Sequence, residues 1–374
     1  MAEGRLRGTT RAMLARAATL AVLCAVLVVP TPMAGASVQV RAQAPRTYAV
    51  GAYAGAGNPA GVTRFGAQVG TRMQYAMEFL DGTSWATITQ PTWQLSHWAG
   101  SGYSMIWGIP MLPDSGASLA RGATGAYDTY FSSLARTLVA AGQGSSIIRI
   151  GWEFNGIWFP WAAKGHAKDF IGYWRQIVTT MRAVPGAQFK FVWNPDRGDF
   201  GAGDLAQYYP GNAYVDYVGL DVYDEEWQDY PGAKAEVTQV EDGPFGLNWL
   251  AKFAAARHKA MFIPEWGLGW GTCRSGAPVT AAKGVCGGDN PLFIKGTSKW
   301  FARHDVVEVN YWDYGSSLLT ATKNRLTRAA LRRYWVDPPS HATGSAAGRS
   351  LLKAPGRRAP RPQKAQGPAR PRSG

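Results

Sequence analysis

The stretch Ile148-Arg-Ile-Gly-Trp-Glu-Phe-Asn-Gly-Ile-Trp-Phe-Pro-Trp161 lies near the middle of a chain of 374 residues. It begins as a short apolar run with a single arginine, which is the pattern of a buried parallel strand. It ends in an acid, an amide, a glycine and three tryptophans, a composition typical of a site. The alternative is a core strand in which Glu153 pairs with Arg149 and the tryptophans only pack, because buried ion pairs also occur in cores. The rest of the sequence is needed to distinguish these two interpretations.

Strand-like segments rich in Val, Ile, Tyr and Phe recur on both sides of this stretch. Eight strands are predicted, beginning near residues 48, 74, 104, 146, 188, 215, 260 and 306. Helices are predicted over residues 118–141, 167–184, 246–258, 291–303 and 325–334. Each interval between strands has room for a loop, a helix and a return. The pattern therefore predicts an α/β chain with a single (β/α)8 TIM barrel domain over residues 46–336. A doubly wound open sheet is the alternative, but the count of eight and the lack of a phosphate-binding glycine signature disfavour it.

The two ends of the chain differ in composition from the part between them. Residues 1–36 combine four arginines, an apolar run from Ala17 to Pro30 and the small residues Ala34-Gly-Ala36. This pattern predicts a secretory signal peptide, with an uncleaved anchor as the alternative. A polar linker is predicted over residues 37–45, and a disordered basic tail rich in Pro and Arg over 337–374. We therefore expect a secreted protein, extracellular or associated with the cell wall, without a membrane span in the mature chain.

The net charge of +14 is concentrated at these ends. From Pro338 onward there are eight Lys and Arg and no acid, and residues 1–36 carry a net charge of +3, which leaves only +3 for the part between. A nucleic-acid-binding core is therefore not expected, although the tail could attract anionic surfaces.

Two cysteines, Cys273 and Cys286, remain after the predicted signal peptide. In an oxidising compartment, such a pair closing a short loop predicts a disulfide bond. The five histidines are scattered, and no metal-ligand spacing is present. We expect no metal, no cofactor and a monomeric protein.

Polar and aromatic residues follow the last five predicted strands, and chemistry in a (β/α)8 barrel is found at these carboxyl ends. They are Glu153 and Asn155, then Trp193, Asn194 and Asp196, then Asp221, Tyr223 and Asp224, then Glu265, and finally Trp312 and Asp313. Glu153 and Glu265 end strands four and seven. Such a pair is what glycoside hydrolysis requires, because one carboxyl protonates the leaving oxygen and the other stabilises the oxocarbenium-like centre. Asp221, Asp224 and Asp313 are expected to be loop caps or salt-bridge partners.

Aromatic and amide side chains near these strand ends are candidate sugar contacts. Aromatic faces bind the C–H surfaces of sugars, and amides bind hydroxyl groups. All sixteen tryptophans lie between Trp85 and Trp335, which fits a polysaccharide cleft. The candidates are Trp152, Asn155, Trp158, Trp161, Trp193, Asn194 and Trp312. About half of them are expected to line the cleft, with packing as the alternative role for the rest.

The motif Arg149-x-x-Trp-Glu153-Phe-Asn155-Gly156-x-Trp158-Phe159-Pro-Trp161 resembles the strand-four signature of glycoside hydrolase family 26, which includes the β-mannanases. The segments 215–223 on strand six and 264–267 on strand seven resemble the same family. The resemblance implies a retaining mechanism with Glu153 as acid/base and Glu265 as nucleophile. It also implies that Tyr223 hydrogen-bonds the nucleophile and that Arg149 keeps the carboxylate network ionised. One position departs from the pattern: β-mannanases usually place His before the acid/base, many clan relatives place Asn, and this chain has Trp152.

These observations favour a secreted retaining endo-glycosidase that acts on a β-linked polysaccharide, β-mannan-like or other. A transglycosylase is a variant of the same chemistry. Two alternatives remain open. One is a carbohydrate-binding barrel without turnover, which the departure from the family pattern at Trp152 supports. The other is cell-surface binding through the basic tail.

Overall fold

The computed structural model describes residues 47–224, 233–269 and 288–335. The predicted signal peptide, linker and basic tail lie outside these residues, and so do Cys273 and Cys286. Within the described ranges, no helix combines the length and the apolar character needed to span a membrane.

The described residues contain nine strands that form one parallel sheet. They are β1 (Ala49–Tyr53), β2 (Tyr75–Phe79), β3 (Ser104–Ile109), β4 (Ile147–Ile150), β5 (Lys190–Trp193), β6 (Tyr217–Gly219), β7 (Val222–Asp224), β8 (Ala260–Leu268) and β9 (Val306–Trp312). Neighbours follow chain order from β1 to β6, and β6 pairs with β8, β8 with β9 and β9 with β1, so the sheet closes. Strands β6 and β7 share one barrel position, because β6 pairs with the first residues of β8 and β7 with its last. The predicted (β/α)8 barrel is confirmed.

Ten helices surround the strands in the part of the chain that the structure describes. They are α1 (Pro59–Val69), α2 (Trp85–Thr89), α3 (Thr92–Trp98), α4 (Leu119–Ala123), α5 (Asp128–Ala140), α6 (Ala167–Arg182), α7 (Ala233–Asp242), α8 (Leu247–Ala256), α9 (Pro291–Phe301) and α10 (Arg325–Tyr334). The single helix predicted over 118–141 is interrupted between α4 and α5, where Gly125 adopts a left-handed φ of 82°. Helix α1 was not predicted, although Asn58 caps it and Pro59 occupies its first turn, which are both start signals.

Tryptophan packing accounts for much of the unusual composition. Among the residues that the structure describes, six tryptophans are fully buried: Trp107, Trp174, Trp193, Trp266, Trp300 and Trp335. Trp193 on β5, for example, stacks on Phe253 of α8 with 5.1 Å between ring centroids, in the layer between barrel and helices. The excess of tryptophan therefore serves the core at least as much as the cleft.

Two glycines inside the barrel make room for residues beneath its mouth. A Cβ atom on Gly108 of β3 would lie 2.4 Å from the Phe79 ring, and one on Gly219 of β6 would lie 2.8 Å from the Asn194 Cβ. Because carbon atoms cannot approach this closely, larger residues at these positions would displace Phe79 and Asn194. Both displaced side chains are neighbours of the site described below.

Candidate active site

The backbone turns sharply after β4. Gly151 and Glu153 adopt left-handed φ values of 49° and 53°, and a Cβ on Gly151 would lie 2.3 Å from the Met111 sulfur. The turn is fixed on both sides, because the Gly151 N–H donates to the Ile109 carbonyl of β3 and the Glu153 N–H to the Asn194 carbonyl after β5. A left-handed conformation is costly for a residue other than glycine and is concentrated at functional sites. Strand alternation therefore ends at Ile150, and this turn, not the pleat, brings Glu153 to the mouth of the barrel.

Arg149 is completely buried and is the centre of the polar network. Its Nη1 donates to Glu265 Oε1 at 2.7 Å, and its Nη2 donates to Asp221 Oδ2 at 2.6 Å. Its Nε donates to Asn194 Oδ1 at 3.0 Å. The ion pairs of Arg149 are thus made with the acids of the sixth and seventh barrel positions and not with Glu153. The core-strand interpretation of the motif, which required an Arg149–Glu153 pair, does not describe this arrangement.

Both carboxylate oxygens of Glu265 are held. Oε1 accepts from Arg149, and Oε2 accepts from the Tyr223 hydroxyl at 2.6 Å. Burial raises the pKa of Tyr223 well above its ordinary value, and the charge of Glu265 raises it further. Tyr223 therefore stays protonated at neutral pH and remains a hydrogen-bond donor to Glu265.

Three carboxyl groups meet at this point. One oxygen each of Glu153, Asp221 and Glu265 lie within 4.8 Å of one another. Burial raises the pKa of Asp221, the charges of Glu265 and Glu153 add to this effect, and Arg149 opposes it. For Arg149, burial lowers the pKa, but the charges of Asp221 and Glu265 outweigh burial and leave it raised. Three carboxyl groups this close could also ligate a hard cation, and here the Arg149 guanidinium already supplies a positive charge.

One guanidinium facing three carboxyl groups favours retention of a proton within the cluster. Like charges a few ångströms apart in a low-dielectric setting cannot all ionise freely. The half-buried Glu153 and the buried Glu265 also differ in surroundings, since Glu265 is bonded to a cation and a phenol, whereas Glu153 Oε2 accepts from the Trp158 indole N–H at 2.7 Å. Two carboxyl groups in different environments are what a division into acid and nucleophile requires.

A cavity of about 550 Å³ opens above these groups at the carboxyl ends of the strands. Its lining consists of Glu153, Trp158, Asp196, Tyr223, Glu265, Leu268, Trp312, Tyr314, Gly315 and Ser316. Trp158 is 45% exposed, and Trp312 stacks on Tyr53 with ring centroids 4.2 Å apart. The cleft thus combines aromatic walls with the two glutamates and Tyr223.

Of the seven candidate sugar contacts, Trp158 and Trp312 line this cleft. Asn155 is buried, and its side chain fixes the loop after β5. Its Oδ1 accepts from the Asp196 N–H, and its Nδ2 donates to the carbonyls of Asp196 and Gly198. Trp193 lies behind β5, where its Nε1 donates to the Tyr208 carbonyl. These contacts give Asn155 and Trp193 supporting positions.

The other three candidates lie beneath the cleft or behind it. Trp161 is buried and donates from Nε1 to the Trp152 carbonyl at 2.8 Å. Asn194 accepts from Arg149, as described above. Trp152 is only 8% exposed and packs against Phe79 and Phe159.

Several residues of the site were not predicted. Asp221 was expected to be a salt-bridge partner, and it is one, but its partner is Arg149 in the centre of the site. Asp196, named above at the end of strand five without a role, lines the cleft. The loop residues 314–316 also line it, and their position just past the end of β9 was the signal that could have identified them. Asp224 and Asp313 bond to Asn290 and to the Leu319 N–H, in line with the expected supporting roles.

A family model matches the segment that carries β4 to β8 and all three carboxyl groups, over residues 135–271. It is the model of glycosyl hydrolase family 26. The resemblance to family 26 predicted from the motif after β4 is therefore confirmed. Endoglucanase H of Acetivibrio thermocellus is 28% identical over 158 residues, which cover 38% of this chain and 17% of that protein.

Two solved structures share the barrel fold. An endo-beta-1,4-mannanase double mutant from Cellulomonas fimi has a TM-score of 0.53 at 18% identity, covering 73% of this chain and 65% of that one. A family 26 protein from a Muricauda species has a TM-score of 0.54 at 15% identity, covering 76% of this chain and 85% of that one. At these identities the likeness supports the fold and does not specify a substrate.

Proposed function

We propose that the protein is a secreted retaining glycoside hydrolase that cleaves internal β-glycosidic bonds of a polysaccharide. The observation that carries this proposal is the pairing of Glu153 with Glu265 at the cleft, with carboxylate oxygens within 4.8 Å of each other. Retaining glycosidases hold their two carboxyl groups about 5–5.5 Å apart, whereas inverting ones need about 6.5–9.5 Å to admit a water. The match to family 26 over the same segment supports the same reaction class.

In the first step, Glu153 protonates the glycosidic oxygen while Glu265 attacks the anomeric carbon. The C–O bond to the leaving sugar breaks, its oxygen keeps the proton of Glu153, and a bond forms between the sugar and a Glu265 oxygen. Arg149 and Tyr223 hold the two oxygens of Glu265, so the nucleophile is fixed in one orientation before substrate arrives.

In the second step, Glu153 acts as a base. It removes a proton from a water that attacks the anomeric carbon, and the bond to Glu265 breaks with negative charge returning to its carboxylate. Arg149 and Tyr223 donate to the oxygens on which that charge develops. The Trp158 N–H donates to Glu153 Oε2 and holds this carboxyl group in place for the proton transfer.

A β-linked polysaccharide is the substrate class that the cleft supports. Trp158, Trp312 and Tyr314 present aromatic surface to the cavity, and such faces bind the C–H side of sugar rings. The cavity lies at the open mouth of the barrel, where an internal stretch of a polysaccharide could bind. Two similar proteins are an endo-beta-1,4-mannanase and an endoglucanase, so β-mannan and β-glucan are the first substrates to test.

The proposal is tested by incubating the purified protein with a panel of mannan, glucan and xylan and measuring reducing ends. Wild type should cleave at least one polymer, and both Glu153→Gln and Glu265→Gln should lose activity by about 10²–10⁴-fold. Glu241→Gln on α7 is the matched control and should behave as wild type. A wild type that binds a polymer without releasing reducing ends would favour the carbohydrate-binding alternative, and full activity in either active-site variant would refute the assignment.

Secretion is part of the proposal and rests on the signal-like residues 1–36. Expression in a secreting bacterial host should yield protein in the medium whose amino terminus begins near residue 37. Retention of the full chain in the membrane fraction would instead support the uncleaved anchor.

A further inference from the structure

Each of the three nitrogens of the buried Arg149 guanidinium has a partner. Glu265, Asp221 and Asn194 accept from it, and its Nη1 also lies 3.1 Å from the sulfur of Met77. The planar faces of the guanidinium carry no donors, so contacts there must come from apolar or π surface.

Two aromatic rings lie against the guanidinium. The Arg149 Cζ lies 5.7 Å from the centroid of the Phe79 ring and 5.8 Å from the Trp152 ring. The two ring centroids are only 4.9 Å apart, so the rings lie side by side on the same side of the guanidinium and do not sandwich it. We name Phe79 and Trp152 together the aromatic roof of Arg149.

Trp152 also packs against aromatic residues on the side away from Arg149. Its ring packs against Phe159 at 5.0 Å and against Trp161 at 4.8 Å, and its carbonyl accepts from the Trp161 Nε1. With 8% of its surface exposed, it offers little area to a sugar. Its contacts point to a role beneath the cleft, in contrast to the exposed Trp158.

The aromatic roof changes the strength of the Arg149 contacts. A cation over an aromatic face is attracted to it, and the attraction is larger where water is excluded. Exclusion of water also strengthens the attraction between Arg149 and Glu265, because charges interact more strongly in a low dielectric. A histidine, which β-mannanases usually place at this position, would cover less of the guanidinium and would add a titratable ring near Arg149.

We infer that Trp152 is a positioning residue that acts on the reaction through Arg149, and not by binding sugar. This inference rests on the proposed function, because Arg149 matters for catalysis only if Glu265 is the nucleophile. It also gives the departure from the β-mannanase pattern a physical consequence: the residue before the acid/base keeps water away from the arginine that bonds the nucleophile.

Kinetics of Trp152→Phe, Trp152→Leu and Trp152→His test the inference on whichever polymer the wild type cleaves. A positioning role predicts that the leucine and histidine variants lose kcat by about 10- to 100-fold with KM within about twofold of wild type. The acid limb of their pH profile should move to higher pH, because a hydrated Arg149 lowers the pKa of the neighbouring Asp221 less. Trp152→Phe keeps a ring over the guanidinium and should recover most of kcat. Trp93→Leu, at a tryptophan that is 51% exposed on α3, is the matched control.

A second measurement does not depend on activity. The Nε–H proton of Arg149 should exchange slowly with solvent in the NMR spectrum of the wild type, and at least about tenfold faster in Trp152→Leu, because loss of a buried ring admits water. If Trp152→Leu does not fold, Phe79→Leu removes the other half of the aromatic roof and should give the same two changes.

The outcomes separate the inference from the proposed function. An active wild type whose Trp152 variants raise KM with kcat unchanged would place the indole on the sugar and overturn the inference. Variants with wild-type kinetics, pH profile and exchange would reduce Trp152 to core packing and overturn it equally. An inactive wild type would refute the proposed function alone, and the exchange experiment would still decide whether Trp152 shields Arg149.

Discussion

Replacing Tyr223 with phenylalanine removes one hydroxyl from the surroundings of Glu265 and leaves the ring in place. The hydroxyl donates to Glu265 Oε2 at 2.6 Å, and its raised pKa keeps it a donor throughout the neutral range. A hydrogen bond to a charged group contributes about 1.5–3 kcal/mol, which corresponds to a rate factor of about 10- to 150-fold.

The loss should fall mainly on the second chemical step. In the first step of the proposed mechanism the charge on Glu265 disappears as the bond to the sugar forms, whereas in the second step that charge returns. The Tyr223 hydroxyl therefore stabilises the product side of the second step, and its removal should slow hydrolysis of the glycosyl-enzyme more than its formation.

Rapid-mixing kinetics with an activated aryl glycoside of the preferred sugar measure both steps. Tyr223→Phe should show a burst of aryl alcohol close to one equivalent, followed by a steady state about 10- to 150-fold slower than wild type. Tyr103→Phe, which removes a hydroxyl that bonds Thr63 outside the cleft, is the matched control. A steady-state rate within twofold of wild type, or a slowed first step without a burst, would refute this role for Tyr223.

Three further predictions concern stability. Arg149→Met leaves two buried carboxyl groups without their cation and should lower the free energy of unfolding in urea by about 3–5 kcal/mol. Arg182→Met, which breaks a partly exposed pair with Asp216, is the control and should lower it by about 0–1 kcal/mol. Equal losses in the two variants would contradict the central place of Arg149. Glu308 is buried inside the barrel, neither of its carboxylate oxygens has a hydrogen-bond partner in the described part of the chain, and burial raises its pKa well above the ordinary value. Its folded pKa is the higher one, so wild type should lose stability as pH rises from the ordinary glutamate pKa through the raised value, and thermal unfolding of Glu308→Gln should lack that loss. Burial likewise raises the pKa of Asp313 to about 6. The free energy of unfolding should therefore fall by about 3 kcal/mol between about pH 3 and pH 7, and Asp313→Asn should flatten this slope; an unchanged slope would show that Asp313 ionises freely.

The barrel could be predicted because each strand is a short apolar run that needs no tertiary information to recognise. The breaks were harder to predict. The sixth barrel position divides into β6 and β7 because the backbone of Asp221, between these two strands, pairs with Asp196 in the loop after β5 and not with β8. That exchange depends on a loop from elsewhere in the chain, and no local pattern records it. Helices α2 and α3 were missed because five and seven residues are too few to show helical periodicity.

The two glutamates could be placed because the carboxyl ends of parallel strands meet at one edge of a barrel. The tryptophans could not be placed in the same way, since a ring at a strand end points either into the cleft or back toward the helices. Alternation would have separated one pair, because Trp193 and Asn194 are consecutive and cannot both face the barrel interior. Asn194 bonds Arg149 inside the barrel, and Trp193 stacks on Phe253 outside it. The positions of Trp152 and Trp158 depend on the left-handed turn at Glu153, which sequence pattern does not reveal.

The configuration of the first-formed product tests the pairing of Glu153 with Glu265 most directly. One oxygen of each glutamate lies within 4.8 Å of the other, whereas an inverting mechanism needs carboxyl groups about 6.5–9.5 Å apart to admit a water. Proton NMR of the cleaved polymer in the first minutes, before the anomers equilibrate, should show the β-anomer accumulating first. Initial accumulation of the α-anomer would contradict a nucleophilic Glu265.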